Sequence, residues 1–216
     1  MKIFLDTAET DVVRKHWKTG LIDGLTTNPT LIRKSGRNHE EVYQEFKDIG
    51  LTDISMEVIG DKSNMVSEGK RLHKKFGKCA TIKVPCTYEG LQACAHLSVE
   101  GIKVNVTLIF SQAQAILAAK AGAKYVSQFV GRVDDNSFGG LCLVKDIATV
   151  YREHMVVKTE VLAASLRGVR DVGRAFEYGA DIVTMPPSVF EGMYNHILTD
   201  KGLDQFDKDY AASIEV

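Results

Sequence analysis

The chain carries no strong charge of either sign. Across its 216 residues, 27 Lys and Arg face 28 Asp and Glu, for a formal net charge of −1 and a pI near 6.6. That balance attracts neither nucleic acid nor an acidic membrane surface, and neither is expected as a partner. The densest basic cluster, Lys70-Arg71 with His73-Lys74-Lys75, falls on a predicted helix and reads as a solvated face. No apolar run approaches bilayer length. The start, Met1-Lys2-Ile3-Phe4-Leu5-Asp6, reaches an acidic residue too soon for a signal peptide. Four cysteines (Cys79, Cys86, Cys94, Cys142) form no CxxC pair and no zinc spacing. Free thiols in a reducing compartment, the cytoplasm, are therefore expected. The six histidines show no HxH or HExxH spacing, so no metal site is expected. GxSxG, Walker and GxGxxG motifs are missing as well.

What is present is a regular alternation. Short β-branched runs at Lys2–Leu5, Gly24–Thr27, Ile54–Val58, Thr81–Val84, Lys103–Thr107, Tyr125–Phe129, Glu160–Ala164 and Ile182–Met185 read as strands, each followed by an amphipathic helical pattern. Such alternation implies parallel strands joined by right-handed crossovers. Eight units in this length predict a single (β/α)₈ TIM barrel, with a doubly wound open sheet as the competing arrangement. Gly122 and Gly179 follow helical runs and suit a helix C′ position with positive φ. The stretch Gly131–Gly140 reads as the longest irregular loop. We place the barrel domain at residues 1–198. The tail, 199–216, carries Leu203, Phe206, Tyr210 and Ile214 at helical spacing. A barrel already closed by eight helices has little surface left for it, so an extra C-terminal helix against a neighbouring subunit is expected.

One strand stands out. Ala80-Thr81-Ile82-Lys83-Val84-Pro85 places a lysine in the middle of a run expected to be buried on both faces. A lysine held there loses solvation, which favours the neutral, nucleophilic amine. Taken alone, an edge-strand lysine snorkelling to water is the commoner explanation. The other strands argue against it. Polar side chains recur near their C-terminal ends: Asp6, Thr26 and Asn28, Glu57, Asn105 and Thr107, Ser127, and Ser165. Inward positions of a packed barrel should be aliphatic, and an unpaired buried polar group costs about 1–3 kcal/mol. A ring of such residues at the end where barrel enzymes place their sites is hard to explain as packing. Singly, each has a plain alternative: Asp6-Thr7 as a helix cap, Asn28-Pro29 as a turn, Thr107 and Ser165 as satisfied hydroxyls. Glu57 is the least comfortable, and Lys83 on the adjacent strand gives it a partner. Arg132 and Arg167, just past the sixth and seventh strands, offer forks suited to phosphate.

These same residues carry a resemblance. Leu5-Asp6-Thr7, Thr26-Thr27-Asn28-Pro29-Thr30, Ile82-Lys83-Val84-Pro85 with Glu89-Gly90-Leu91, Asn105-Val106-Thr107-Leu108-Ile109-Phe110-Ser111, Val130-Gly131-Arg132 and Ala163-Ala164-Ser165 resemble, in order, the transaldolase family. The chain is most similar to its small branch, which includes fructose-6-phosphate aldolase. The resemblance implies a (β/α)₈ barrel and a Schiff-base mechanism that needs no cofactor and no metal. Lys83 would form the Schiff base and Asp6 would act as acid/base at the ketose C4 hydroxyl. Glu57 and Thr107 would hold a relay water, while Thr26, Asn28, Asn105, Ser127 and Phe129 would line the donor pocket. Arg132, Ser165 and Arg167 would hold the sugar phosphate.

The resemblance further implies transfer of a dihydroxyacetone unit between ketose phosphates (sedoheptulose 7-phosphate, fructose 6-phosphate) and aldose phosphates (glyceraldehyde 3-phosphate, erythrose 4-phosphate) in the pentose phosphate pathway. In the aldolase branch the residues matching Glu57 and Phe129 are typically Gln and Tyr, so this chain follows the transferase pattern. The alternatives are the aldolase itself, releasing free dihydroxyacetone, and a non-catalytic sugar-phosphate binder. An isomerase on the same fold would expect a histidine at a strand end, and none lies there. A homo-oligomer is implied too, since the small branch typically forms decamers joined by C-terminal helices.

Overall fold

The computed structural model describes residues 1–154 and 158–214; Glu215 and Val216 of the expected tail lie outside that range. The chain runs β1 (Lys2–Asp6), α1 (Thr10–Trp17), β2 (Gly24–Thr26), α2 (Pro29–Ser35), α3 (His39–Ile49), β3 (Ile54–Glu57) and α4 (Lys62–Phe76). A 3₁₀ turn at Gly77–Cys79 leads into β4 (Ala80–Pro85), α5 (Tyr88–Val99), β5 (Val104–Ile109), α6 (Gln112–Lys120) and β6 (Tyr125–Phe129). The last third holds α7 (Val130–Asp135), α8 (Gly140–Glu153), β7 (Glu160–Ala164), α9 (Val169–Glu177), β8 (Ile182–Met185), α10 (Pro187–Gly192) and α11 (Ile197–Ile214). The eight strands pair in sequence order, all parallel, and β8 closes on β1. This is a (β/α)₈ barrel with an added C-terminal helix, and the open-sheet alternative falls.

Local chemistry sets the joints. Asn28, Asn38, Asp61, Thr87 and Ser111 cap α2 to α6 through side-chain oxygens that accept N–H bonds from the first turn. Each such cap is worth about 1 kcal/mol. Gly122 and Gly179 adopt φ of 83° and 94°, the left-handed geometry expected after a helix. Three expectations need correction. Asn28-Pro29 is the cap and first residue of α2, because proline at the first helical position loses no hydrogen bond. The stretch from Gly131 is helical through Asp135. The final tail begins at Ile197, while α10 ends early, at Gly192.

The barrel floor is dry. Phe4, Tyr125, Leu162 and Ile182 fill the interior, with Phe4 and Tyr125 edge to face at 6.2 Å. Burying one such side chain contributes about 1.5–3 kcal/mol. Beneath them Asp53 accepts from Thr81 Oγ1, Lys103 Nζ and Tyr125 OH, each at 2.8 Å. The basic cluster on α4 lies on its outer surface, where Lys70 pairs with Glu100 and Arg71 with Glu68 and Glu40. Along α11, Leu203, Phe206, Tyr210 and Ile214 are all exposed, and the described part of the helix buries no residue. Among the described residues no helix is long and apolar enough to cross a membrane.

Candidate active site

At the C-terminal end of the barrel a cavity of about 110 Å³ opens between the strand ends. Asp6, Thr26, Asn28, Lys83, Ser127 and Ser165 line it, and strand register sets further polar residues beside them. Asp6 lies beside Thr26, Glu57 beside Lys83, and Lys83 beside Asn105. A one-residue shift would turn this set outward, so strand pairing fixes the site. Lys83 is 4% exposed on a strand buried through Val84. Its Nζ donates to the Thr27 carbonyl at 3.0 Å and stands 3.0 Å from Glu57 Oε2. A barrel lysine this deep needs such partners, and the carboxylate has its cation. The amine is buried but not bare.

Asp6 shares the cavity wall with Lys83. Burial pushes its carboxyl pKa above the ordinary value, opposed by the charge of Lys83 and by the hydrogen bond from Thr26; nearby Glu57 raises it further. Asp6 does not cap α1, whose N-cap is Glu9. Thr26 Oγ1 donates to Asp6 Oδ1 at 2.8 Å and lies 2.7 Å from Thr184 Oγ1. With Asp6 ionised, the carboxylate only accepts, so the single Thr26 proton points at Asp6 and Thr184 donates to Thr26.

A second polar chain crosses the barrel at the level of the lysine. Ser127 Oγ donates to Asn105 Oδ1 at 2.7 Å, and Asn105 Nδ2 donates to Ser55 Oγ at 3.2 Å. Asn105 is thereby oriented on both sides. Thr107 is buried with its hydroxyl unpartnered among the described residues. Beside it Leu108 takes φ of 60°, at a register shift between β5 and β6. Asn28 faces the cavity, and its Oδ1 accepts from Leu31 N at 3.0 Å, leaving its amide N–H groups to offer.

The rim is cationic and aromatic. Arg132 lines the cavity with its guanidinium 4.8 Å from the centre of the Phe129 ring, which itself meets Phe110 at 5.9 Å. Ser165 also lines it, in a left-handed conformation with φ of 61° that a non-glycine residue adopts at some cost. Its carbonyl accepts from Gly131 N at 3.1 Å, tying the end of β7 to α7. Glu57, Asn105 and Thr107 do not line the cavity, and neither does Arg167. Arg167 pairs with Asp135 through both Nη groups.

Two groups of this site had no warning in the sequence. Thr184 reads as an ordinary β-branched strand residue, and Ser55 as a small polar one. Thr184 is in register with Phe4, and Ser55 with Thr26 and Thr81; their reach to the Thr26 and Asn105 side chains across the barrel was the missing information.

The family model described as Transaldolase/Fructose-6-phosphate aldolase matches residues 3–215. The chain belongs to this family. Curated relatives named "Probable transaldolase" agree. One from Paracoccus denitrificans (strain Pd 1222) is 49% identical over 212 residues, covering 98% of this chain and 97% of its own. Another, from Caulobacter vibrioides (strain NA1000 / CB15N), is 50% identical over 214 residues, covering 99% and 98%. A third, from Nitrosopumilus maritimus (strain SCM1), is 49% identical over 211 residues, covering 97% and 95%. Family and relatives together make the protein a transaldolase-type enzyme, and the cavity above is the place to look for its chemistry. Among the described residues no group of three or more His, Cys, Asp or Glu is placed to hold a metal ion.

Proposed function

We propose that the protein is a Schiff-base transaldolase that carries a dihydroxyacetone unit from ketose phosphates to aldose phosphates. The observation that carries this is a lysine buried beside one carboxylate and facing another across a small polar cavity. Lys83 Nζ adds to the ketose C2 carbonyl, and loss of water leaves an iminium. Glu57, 3.0 Å away, accepts the amine's proton and, with the free hydroxyl of Thr107, holds the water that leaves and later returns. Asp6 removes the C4 hydroxyl proton as the C3–C4 bond breaks. The bond's electron pair passes into the iminium to give an enamine, and the aldose departs. An incoming aldehyde is attacked by the enamine carbon, and Asp6 returns the proton to the new hydroxyl. Water then hydrolyses the iminium and frees Lys83.

Asn28, Asn105 and Ser127 supply donors to the hydroxyls of the bound unit. Arg132, Ser165, backbone N–H groups near Gly168 and Arg167 receive the phosphate, which suits a guanidinium fork. Phe129 has no hydroxyl to help water protonate the enamine, which favours transfer over release. We also assign the exposed apolar face of α11 to a neighbouring copy in a homo-oligomer.

Borohydride reduction with fructose 6-phosphate, followed by peptide mapping, tests the reading. A covalent adduct on Lys83, lost in Lys83→Met, is expected. No adduct leaves a sugar-phosphate binder. Parallel assays of transfer to erythrose 4-phosphate and of free dihydroxyacetone then decide the reaction. Faster release than transfer makes the enzyme a lyase.

A further inference from the structure

Arg167 is the phosphate candidate turned away from the cavity. Its side chain crosses over Gly131, where an added Cβ would lie 2.7 Å from Nε, and reaches the end of α7. There both Nη groups donate to the two oxygens of Asp135. The pair is about half exposed, 57% for the arginine and 47% for the aspartate. The neighbouring Asp134 is occupied otherwise, accepting from Gly140 N at 2.8 Å at the start of α8. Asp135 thus sits on the same short helix as Arg132 and engages its second arginine by a fork that phosphate would use equally well.

Resting on the phosphate site proposed above, we infer that Asp135 is a specificity-determining residue: a resident carboxylate that occupies Arg167 in the free enzyme and yields it to a phosphate group but not to a neutral sugar. A dianion bound by Arg132 and Ser165 outcompetes one carboxylate for the guanidinium. A sugar without phosphate has nothing to offer in exchange, so Arg167 stays with Asp135 and contributes no binding. The pair therefore weakens every anion slightly and withholds one arginine from neutral sugars.

The test is calorimetric titration of inorganic phosphate into the full-length protein, Asp135→Asn, Arg167→Gln and the double variant. Asp135→Asn is expected to tighten phosphate by about two- to fivefold, the range of an exposed ion pair. The KM for fructose 6-phosphate falls with it, more than kcat changes. Arg167→Gln weakens phosphate, and in that background the Asp135→Asn gain disappears, because the two substitutions act through one pair. Weaker phosphate binding in Asp135→Asn would overturn the inference, since Asp135 would then be orienting Arg167 for the ligand. An undiminished gain in the Arg167→Gln background would overturn it too, reducing the effect to loss of a nearby negative charge. If Arg167→Gln leaves phosphate binding untouched, the phosphate-site reading fails along with it. Asp135→Ser serves as a second variant lacking both charge and fork.

Discussion

Substituting Thr26→Val isolates one hydrogen bond at the heart of the proposed chemistry. Valine keeps the β-branched shape on a buried strand but removes the hydroxyl that donates to Asp6 at 2.8 Å. A hydrogen bond to a charged group is worth about 1.5–3 kcal/mol, and about 1.4 kcal/mol corresponds to one pKa unit. Water entering the open cavity recovers part of the loss, so an upward shift smaller than the full worth of that bond remains. The sign follows from the ionised form being the one stabilised. Burial already raises the Asp6 pKa, and losing the donor raises it further. The base form is the one that removes the hydroxyl proton, so the acid limb of kcat/KM moves to higher pH while the rate well above it is largely kept. Asp6 faces Lys83 and Glu57, with Arg132 on the same cavity wall, so the limb reports an apparent value for the group. Thr26→Ser should restore the wild-type limb. Thr184→Val, one bond further from the carboxylate, should shift it in the same direction by less. A uniform rate loss at every pH in Thr26→Val, or a serine variant behaving like valine, would refute the argument.

Other consequences can be checked more simply. Asp53→Ala strands Thr81, Lys103 and Tyr125 at the barrel floor, and a loss of about 3 kcal/mol, read as a melting temperature lower by about 6–12 °C, is expected. A change under 1 °C would show the cluster to be idle. Gly131→Ala places a methyl 2.5 Å from the Ser165 carbonyl, so the β7 end or α7 must move; KM for phosphorylated substrates should rise, and an unchanged KM would detach Gly131 from the rim. Phe206→Ser with Tyr210→Ser strips apolar area from α11 and should reduce the size of the particle on gel filtration while circular dichroism stays that of the barrel. An unchanged elution volume would remove α11 from any interface.

The fold was readable because a parallel barrel writes itself as repeated apolar runs and helical patterns, and the strand ranges needed changes of only one or two residues. The short helices were harder. Val130–Asp135 has too few residues for periodicity to speak, and it forms because β6 leads straight into it beside Ser165. Residue types alone drew attention to Lys83, Glu57 and Asp6, since charges inside a barrel are conspicuous. A threonine in Ile-Val-Thr-Met is not, and only the approach of β8 to β1 gives Thr184 its place in the chain of hydroxyls. Arg167 illustrates the opposite limit: its position after β7 suggested phosphate, but the direction of its side chain depends on a carboxylate 32 residues earlier.

The hydrophobic plug of Phe4, Tyr125, Leu162 and Ile182 has a kinetic corollary. It shuts the far end of the cylinder, so everything that visits the amine must come and go through a single doorway. Two sugars cannot queue inside so small a chamber. On the proposed mechanism the first aldose must walk out before the second walks in, and the enzyme alternates between its free form and one covalent intermediate, giving parallel rather than converging lines in double-reciprocal plots.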